Sequence, residues 1–168
     1  DDIRAPGRER ETVQRSGRFA ATGVFEIDEQ GHFTFVNRQG LEMFSYAPED
    51  MRPDLNAIDM FIPEERARVR ENMQKRLRGE GGTGIEYMAQ RKDGSRFPVI
   101  VYSSLIHGNN QIKGLRGIVV DITERRRREE QIQIYQQELR SLGSELALAE
   151  ERERRQIAEA LHDRIGHD

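Results

Sequence analysis

Apolar and polar positions alternate over two short stretches near the start of the chain. G-V-F-E-I-D at 23–28 reads as one strand and F-T-F-V at Phe33–Val36 as a second, with Glu29-Gln30-Gly31 between them as the turn of a hairpin. Asn37 stands where a helix N-cap is wanted, ahead of the apolar spacing Leu41, Phe44. A longer helix opens at Pro63, a good first-turn residue, and carries Val69, Met73 and Leu77 four apart on one face. The glycines between Gly79 and Gly84 stop it. Three further β segments follow at Ile85–Gln90, 96–106 and 115–121. Lys92-Asp93-Gly94-Ser95 joins the first two and carries the Asp-Gly step of a tight hairpin; Gly108-Asn109-Asn110-Gln111 reads as a looser connection. Pro98 lacks an N–H to donate, so it should face an edge or a bulge. Two strands, a helical middle and three strands predict an α+β fold built on an antiparallel sheet.

After Thr123 the pattern changes. Residues 124–168 contain no proline and are dense in Glu, Arg and Gln. Ile132, Tyr135, Leu139, Leu142, Leu146 and Ala149 are spaced 3, 4, 3, 4, 3, which is a heptad seam and predicts a coiled-coil homodimer through 124–168. Past Ala149 the same heptad would bury Glu153, Gln156, Ala160 and Asp163, whereas the apolar residues present are Ile157, Leu161 and Ile165. A four-residue shift restores them, as a stutter does, and predicts a change of packing there.

Composition narrows the function classes. The 168 residues are 35% hydrophobic and 34% charged, which suits one modest core joined to something elongated and highly charged. Cysteine is absent, which excludes disulfides, thiolate metal sites and thiol nucleophiles. No apolar run approaches the roughly 20 residues that span a bilayer, so no membrane insertion by this segment is expected. A formal net charge of -3 gives no reason to expect nucleic-acid binding. The expected location is cytoplasmic, with an upstream membrane tether left open.

The stretch from Phe19 to Thr123 resembles the PAS sensor family. The matching pieces are G-V-F-E-I-D at 23–28, F-V-N-R at 35–38, F-S-Y-A-P-E-D at 44–50, R-K-D-G-S-R-F-P-V at 91–99 and the closing G-I-V-V-D-I-T-E-R at 117–125, similar to the family's Asp-Ile-Thr exit signature. The resemblance implies a five-stranded antiparallel sheet with short helices on one face, followed by a long C-terminal coiled-coil helix. It also implies that Asp121 and Thr123 form a joint tying the last strand to the outgoing helix. Ser45 departs from the family, which often has Gly there, and Ile62 stands where it often has His.

A second resemblance covers 150–168. E-R-E-R-R-Q-I-A-E-A-L-H-D-R-I-G-H is similar to the phosphoacceptor helix of NarX/DesK-type histidine kinases. It implies that His162 is the phosphoacceptor, that Asp163 accepts its ring proton, and that His167 orients a water during dephosphorylation, an ordinary surface position being the alternative for His167. A neutral imidazole is nucleophilic near neutral pH, and an adjacent carboxylate can hold its tautomer. At about 100° per residue, Ile157, Ala160, Leu161 and Ile165 share one side, with His162, Asp163 and His167 outside that arc.

The expected organisation is a lead-in over 1–18 with a short helix at 9–15, a PAS sensor domain over 19–123, a signalling linker over 124–149, and the start of a phosphotransfer helix over 150–168. The chain is expected to be a piece of a longer kinase whose ATP-binding domain lies elsewhere, with a response regulator as partner and no ATP hydrolysis by this polypeptide alone. A PAS module ahead of a different output, such as a cyclase, is the rival reading. His162 and His167 are five apart, about 140° around a helix, and do not make a metal pair. Arg125 to Arg128 read as a solvated helix start beside Glu124, Glu129 and Glu130. Phe25, Phe33, Phe35, Phe44, Phe61, Phe97 and Tyr102 are core candidates, some lining a cavity for a small ligand. A cysteine-adduct flavin is excluded by composition. Haem is not expected, because residues 63–78 hold no His and His32 and His107 fall in predicted turns.

Overall fold

The structure, a computed structural model, describes residues 22–166. The lead-in helix expected at 9–15 and His167 lie outside the described residues. Five strands form one antiparallel sheet: β1 (Thr22–Asp28), β2 (Phe33–Val36), β3 (Ile85–Gln90), β4 (Arg96–Gly108) and β5 (Gln111–Asp121). Their spatial order is β2-β1-β5-β4-β3. The hairpins β1–β2 and β3–β4–β5 are thus joined by pairing the first strand with the last, Thr22 opposite Val120 through Asp28 opposite Gly114. Between them come α1 (Arg38–Met43), two short 3-10 turns at Pro48–Asp50 and Ala57–Met60, and α2 (Pro63–Leu77). The chain ends in α3 (Thr123–Ile165).

Alternation along the strands buries Ile27, Leu115, Val119, Val99, Phe97, Tyr87 and Ala89 on one face, where the last five pack with Met43, Phe44, Ile58, Met60, Phe61 and Val69 from the helical middle. Phe44 and Phe97 meet edge to face at 5.1 Å, as do Phe61 and Tyr87 at 5.2 Å. The same alternation corrects two core candidates. Phe35 pairs with Glu26 and Tyr102 with Ile118 on the opposite face, where Phe35 is 50% and Tyr102 40% exposed beside Val24.

Local chemistry explains the element ends. The Asn37 carboxamide accepts from the Gly40 N–H at 2.9 Å, capping α1, and from the Val24 N–H at 2.8 Å, fixing the helix to β1. That approach is close enough that a Cβ on Gly23 would lie 2.8 Å from the Gly40 Cα. At its other end α1 closes in a Schellman motif, with Ser45 N–H donating to Glu42 O and Tyr46 N–H to Leu41 O. Ser45 accordingly sits at φ 60°, the left-handed region that favours glycine, so serine is the strained choice at this position.

The connection at 108–111 is tighter than its sequence suggests. Asn109 and Asn110 both take positive φ, 50° and 62°, so β4 and β5 run on to Gly108 and Gln111 and meet in a two-residue turn. His107 therefore lies in β4 opposite Ile112, not in a turn. Pro98 sits in an inner strand, yet at the point where β5 stops. Its carbonyl accepts from Ile122 N–H, while Ile122 O is taken by Arg126 N–H in the first turn of α3, so no donor is missed.

Replacing Ser45 with Gly should stabilise the domain by roughly 0.5–1 kcal/mol, the relief of left-handed strain less the added freedom of the unfolded chain. Phe97→Ala should instead remove about 3–5 kcal/mol, since the side chain is 2% exposed. Urea unfolding measures both.

Candidate functional site

Two features of the fold are candidates for function: an apolar cavity and the junction where β5 becomes α3. The cavity, of about 110 Å³, lies between the inner face of the sheet and α2. Phe25, Phe33, Phe44 and Phe61 line it, as do Val69 and Met73 from the helical stripe read in the sequence. Asn72 and Arg76, on the same face of α2, bring the polar groups. Asn72 donates to the Tyr87 hydroxyl at 2.9 Å.

The junction has no loop. β5 ends at Asp121 and α3 begins at Thr123, with the Ile122 side chain buried between them. Asp121 Oδ1 accepts from the Thr123 backbone N–H at 2.8 Å and from its hydroxyl at 2.5 Å, satisfying one of the N–H groups a helix start leaves open. Its other oxygen lies 3.5 Å from Arg91 Nη2. Arg91 in turn donates through Nε to Met43 O and lies over the Phe97 ring at 3.8 Å from its centre. The expected pair Asp121 and Thr123 is thus brought together, and Arg91 links it to the end of α1 and to the core.

A second tie was not read from the sequence. Glu86, on β3, receives Arg126 Nη2 at 2.6 Å and Arg125 Nη2 at 3.3 Å from the first turn of α3. Arg125 also pairs with Glu129 and Arg127 with Glu124, as expected of a solvated helix start. The Arg126 hydrogen bond is the main reason the Glu86 carboxyl lies below its ordinary value of 4.5, with burial opposing it and both guanidinium charges adding to it. Only the run of arginines hinted at this contact; its partner is 39 residues away from Arg125.

From the junction α3 continues without interruption through the predicted seam shift near Ala149, so the shift lies in the side-chain pattern and not in the backbone. Leu139, Leu142, Leu146, Ile157, Leu161 and Ile165 are all more than half exposed. Ile134 and Leu148, outside the predicted seam, are exposed as well. His162 and Asp163 are solvent-exposed on the last turns of the same helix. Among the described residues no helix is long and apolar enough to cross a membrane.

Glu86→Gln should lower the melting temperature at pH 7 by a few degrees at most, because the pair is open to solvent. The folded-state value of Glu86 lies below that of the unfolded chain. Its contribution is therefore complete above pH 4.5 and vanishes as the pH falls through the lowered value. Melting curves of the two proteins should accordingly converge in that acid range.

A family model described as a PAS domain matches residues 21–124. Among solved structures, the PAS domain of a protein from Colwellia psychrerythraea superposes with a TM-score of 0.56 at 21% identity, over 61% of this chain and 87% of that one. A sensory box histidine kinase/response regulator from Burkholderia thailandensis E264 gives 0.56 at 18% identity, over 72% and 92%. The N-terminal domain of a diguanylate cyclase with PAS/PAC sensor from Marinobacter aquaeolei gives 0.54 at 15%, over 62% and 98%. At these identities the likeness is one of fold. No curated protein matches the sequence. The family match, the strand order and the Asp121–Thr123 junction agree, and the chain belongs to the PAS domain family.

Proposed function

We propose that this chain is the sensory and dimerising segment of a two-component sensor histidine kinase. In this reading a PAS domain over 19–123 passes its signal through a coiled coil over 124–149 to a phosphoacceptor helix over 150–168. The observation that carries it is the single 43-residue helix that grows from the central strand, with its apolar seam uncovered and His162 on it. Uncovered leucines at heptad spacing favour a second copy of the helix as their partner. His162 lies off the Ile157–Leu161–Ile165 side, where a kinase domain and a response regulator could both reach it.

His162 is the phosphoryl acceptor and Asp163 the base that takes the imidazole proton as the N–P bond forms. His167 follows as the residue that orients a water for dephosphorylation. ATP is supplied by a nucleotide-binding domain outside this sequence, the receiver is a response regulator, and the segment works in the cytoplasm. Asp121 and Thr123 act as the signal joint. The altered packing phase past Ala149 gives the helix pair two arrangements of similar energy, between which a small bias from the sensor selects. The structural likeness to a diguanylate cyclase sensor supports a second reading, a PAS dimerisation module ahead of a cyclase, in which the L-H-D-R-I-G-H run has no phosphotransfer role.

In the parent protein, His162→Gln should abolish an acid-labile, base-stable phosphoryl group formed with ATP, with the dimer retained. Absence of that group from the unaltered parent would leave the cyclase reading in place, and full phosphorylation of the variant would remove His162 from the acceptor role. Cysteines scanned singly along 139–161 should crosslink in a pattern that changes between signalling states. A pattern identical in both states would rule out the repacking step.

A further inference from the structure

We infer that α3 is hinged at Gly143-Ser144, ahead of the seam shift near Ala149, and that the helix bends there when the segment beyond it repacks. The inference rests on reading α3 as the output helix and names the point at which its two halves move apart.

Two neighbouring residues weaken the backbone at this point. Gly143 stands in the interior of a 43-residue helix, where glycine gives up more conformational freedom than any other residue. A Cβ built on it would meet nothing within 4 Å, so no contact inside the chain calls for glycine there. Ser144 turns its hydroxyl back along the helix, and Oγ donates to Arg140 O at 3.0 Å. In an α-helix that carbonyl is also the acceptor of the Ser144 N–H, so one acceptor serves two donors. Back-bonding of this kind destabilises and bends a helix, and a Gly–Ser pair is among the few identified causes of a kink.

The side chains around the pair do not brace it. α3 carries ion pairs near its start, Arg125 with Glu129 and Arg127 with Glu124, and near its finish, Arg155 with Glu151. Among the described residues none joins two side chains between 130 and 150. Glu138, Arg140 and Glu145 are charged, but none of them is three or four residues from an opposite charge in this group, the spacing at which helix side chains meet. The heptad adds a third weakness. Glu145 and Glu150 flank Leu146 and Ala149, and in a parallel pair Glu145 of each helix falls opposite Glu150 of the other. Like charges at those flanking positions oppose tight closure of the coil. A bend at Gly143-Ser144 lets the Ile132–Leu142 seam stay closed while the segment beyond turns its Ile157–Leu161–Ile165 side into or out of the dimer, carrying His162 with it.

Hydrogen exchange of the 168-residue chain tests this. Amides of 144–148 should be less protected than those of both 133–140 and 150–156, a local minimum that fraying from the helix end does not produce. Gly143→Ala should raise protection there about fivefold, the difference in helix propensity between the two residues, and Ser144→Ala should raise it as well. The chain has no cysteine, so Gln133→Cys with Arg154→Cys places two spin labels on one helix without background. In dimers diluted with unlabelled chain, their separation, about 30 Å along a straight helix, should be broadly distributed. It should narrow when Gly143→Ala and Ser144→Ala are added. Protection that runs level through 140–150 or falls steadily toward the C-terminus, or a narrow distance distribution in the helix that keeps Gly143 and Ser144, overturns the hinge. Neither readout involves ATP or His162, so failure here and failure of the kinase reading give different results.

Discussion

Strand β5 is hydrogen-bonded along both of its edges, to β1 on one side and β4 on the other, and it leaves the sheet directly as a helix. That constraint organises the rest of the molecule. A strand at the centre of a sheet cannot shift register without breaking two ladders at once. Its inner side chains, Leu115 and Val119, are fixed in the core, and Ile122 is buried where strand turns into helix. Any displacement of the inner face that reaches β5 is delivered to α3 with no intervening loop to absorb it. The cavity opens on that same face, with Leu115 and Val119 in its wall.

The junction is held by two kinds of contact. Asp121 is half-buried, serves the open helix start, and faces Arg91, which is itself pinned by Met43 O and the Phe97 ring. Removing that carboxylate would leave several donors without an acceptor, which is why it acts as a structural joint. The Glu86 pairs with Arg125 and Arg126 lie on the solvent side and are weakened by salt. The inner contact caps the helix start, and the outer pairs tie the first turn of α3 to β3.

Much of this was legible in the sequence because it is local. Asn37, Pro63, Asp93-Gly94 and the 3-4 spacing of Ile132 to Ala149 each act within a few residues, and the helix cap, helix start, tight turn and long helix that they predict are present. The misses have physical causes. Asn109-Asn110 read as a loose connection because asparagine is only moderately marked for positive φ, and the ends of β4 and β5 were cut short with it. Hydrophobicity alone places Phe35 and Tyr102 in the core, although alternation sends them to the outer face. The Glu86 clasp depends on residues far apart in the chain, and nothing in local pattern encodes such a meeting. The sequence motif alone points to His162 and Asp163, and the structure adds only their exposure.

The length of α3 has a mechanical consequence. A helix of 43 residues rises about 65 Å. By geometry alone, a tilt of about 5° at its base would sweep the far tip through roughly 5–6 Å. A movement too small to disturb the hydrogen bonds at the fulcrum becomes, at the distal end, as large as one full helical turn.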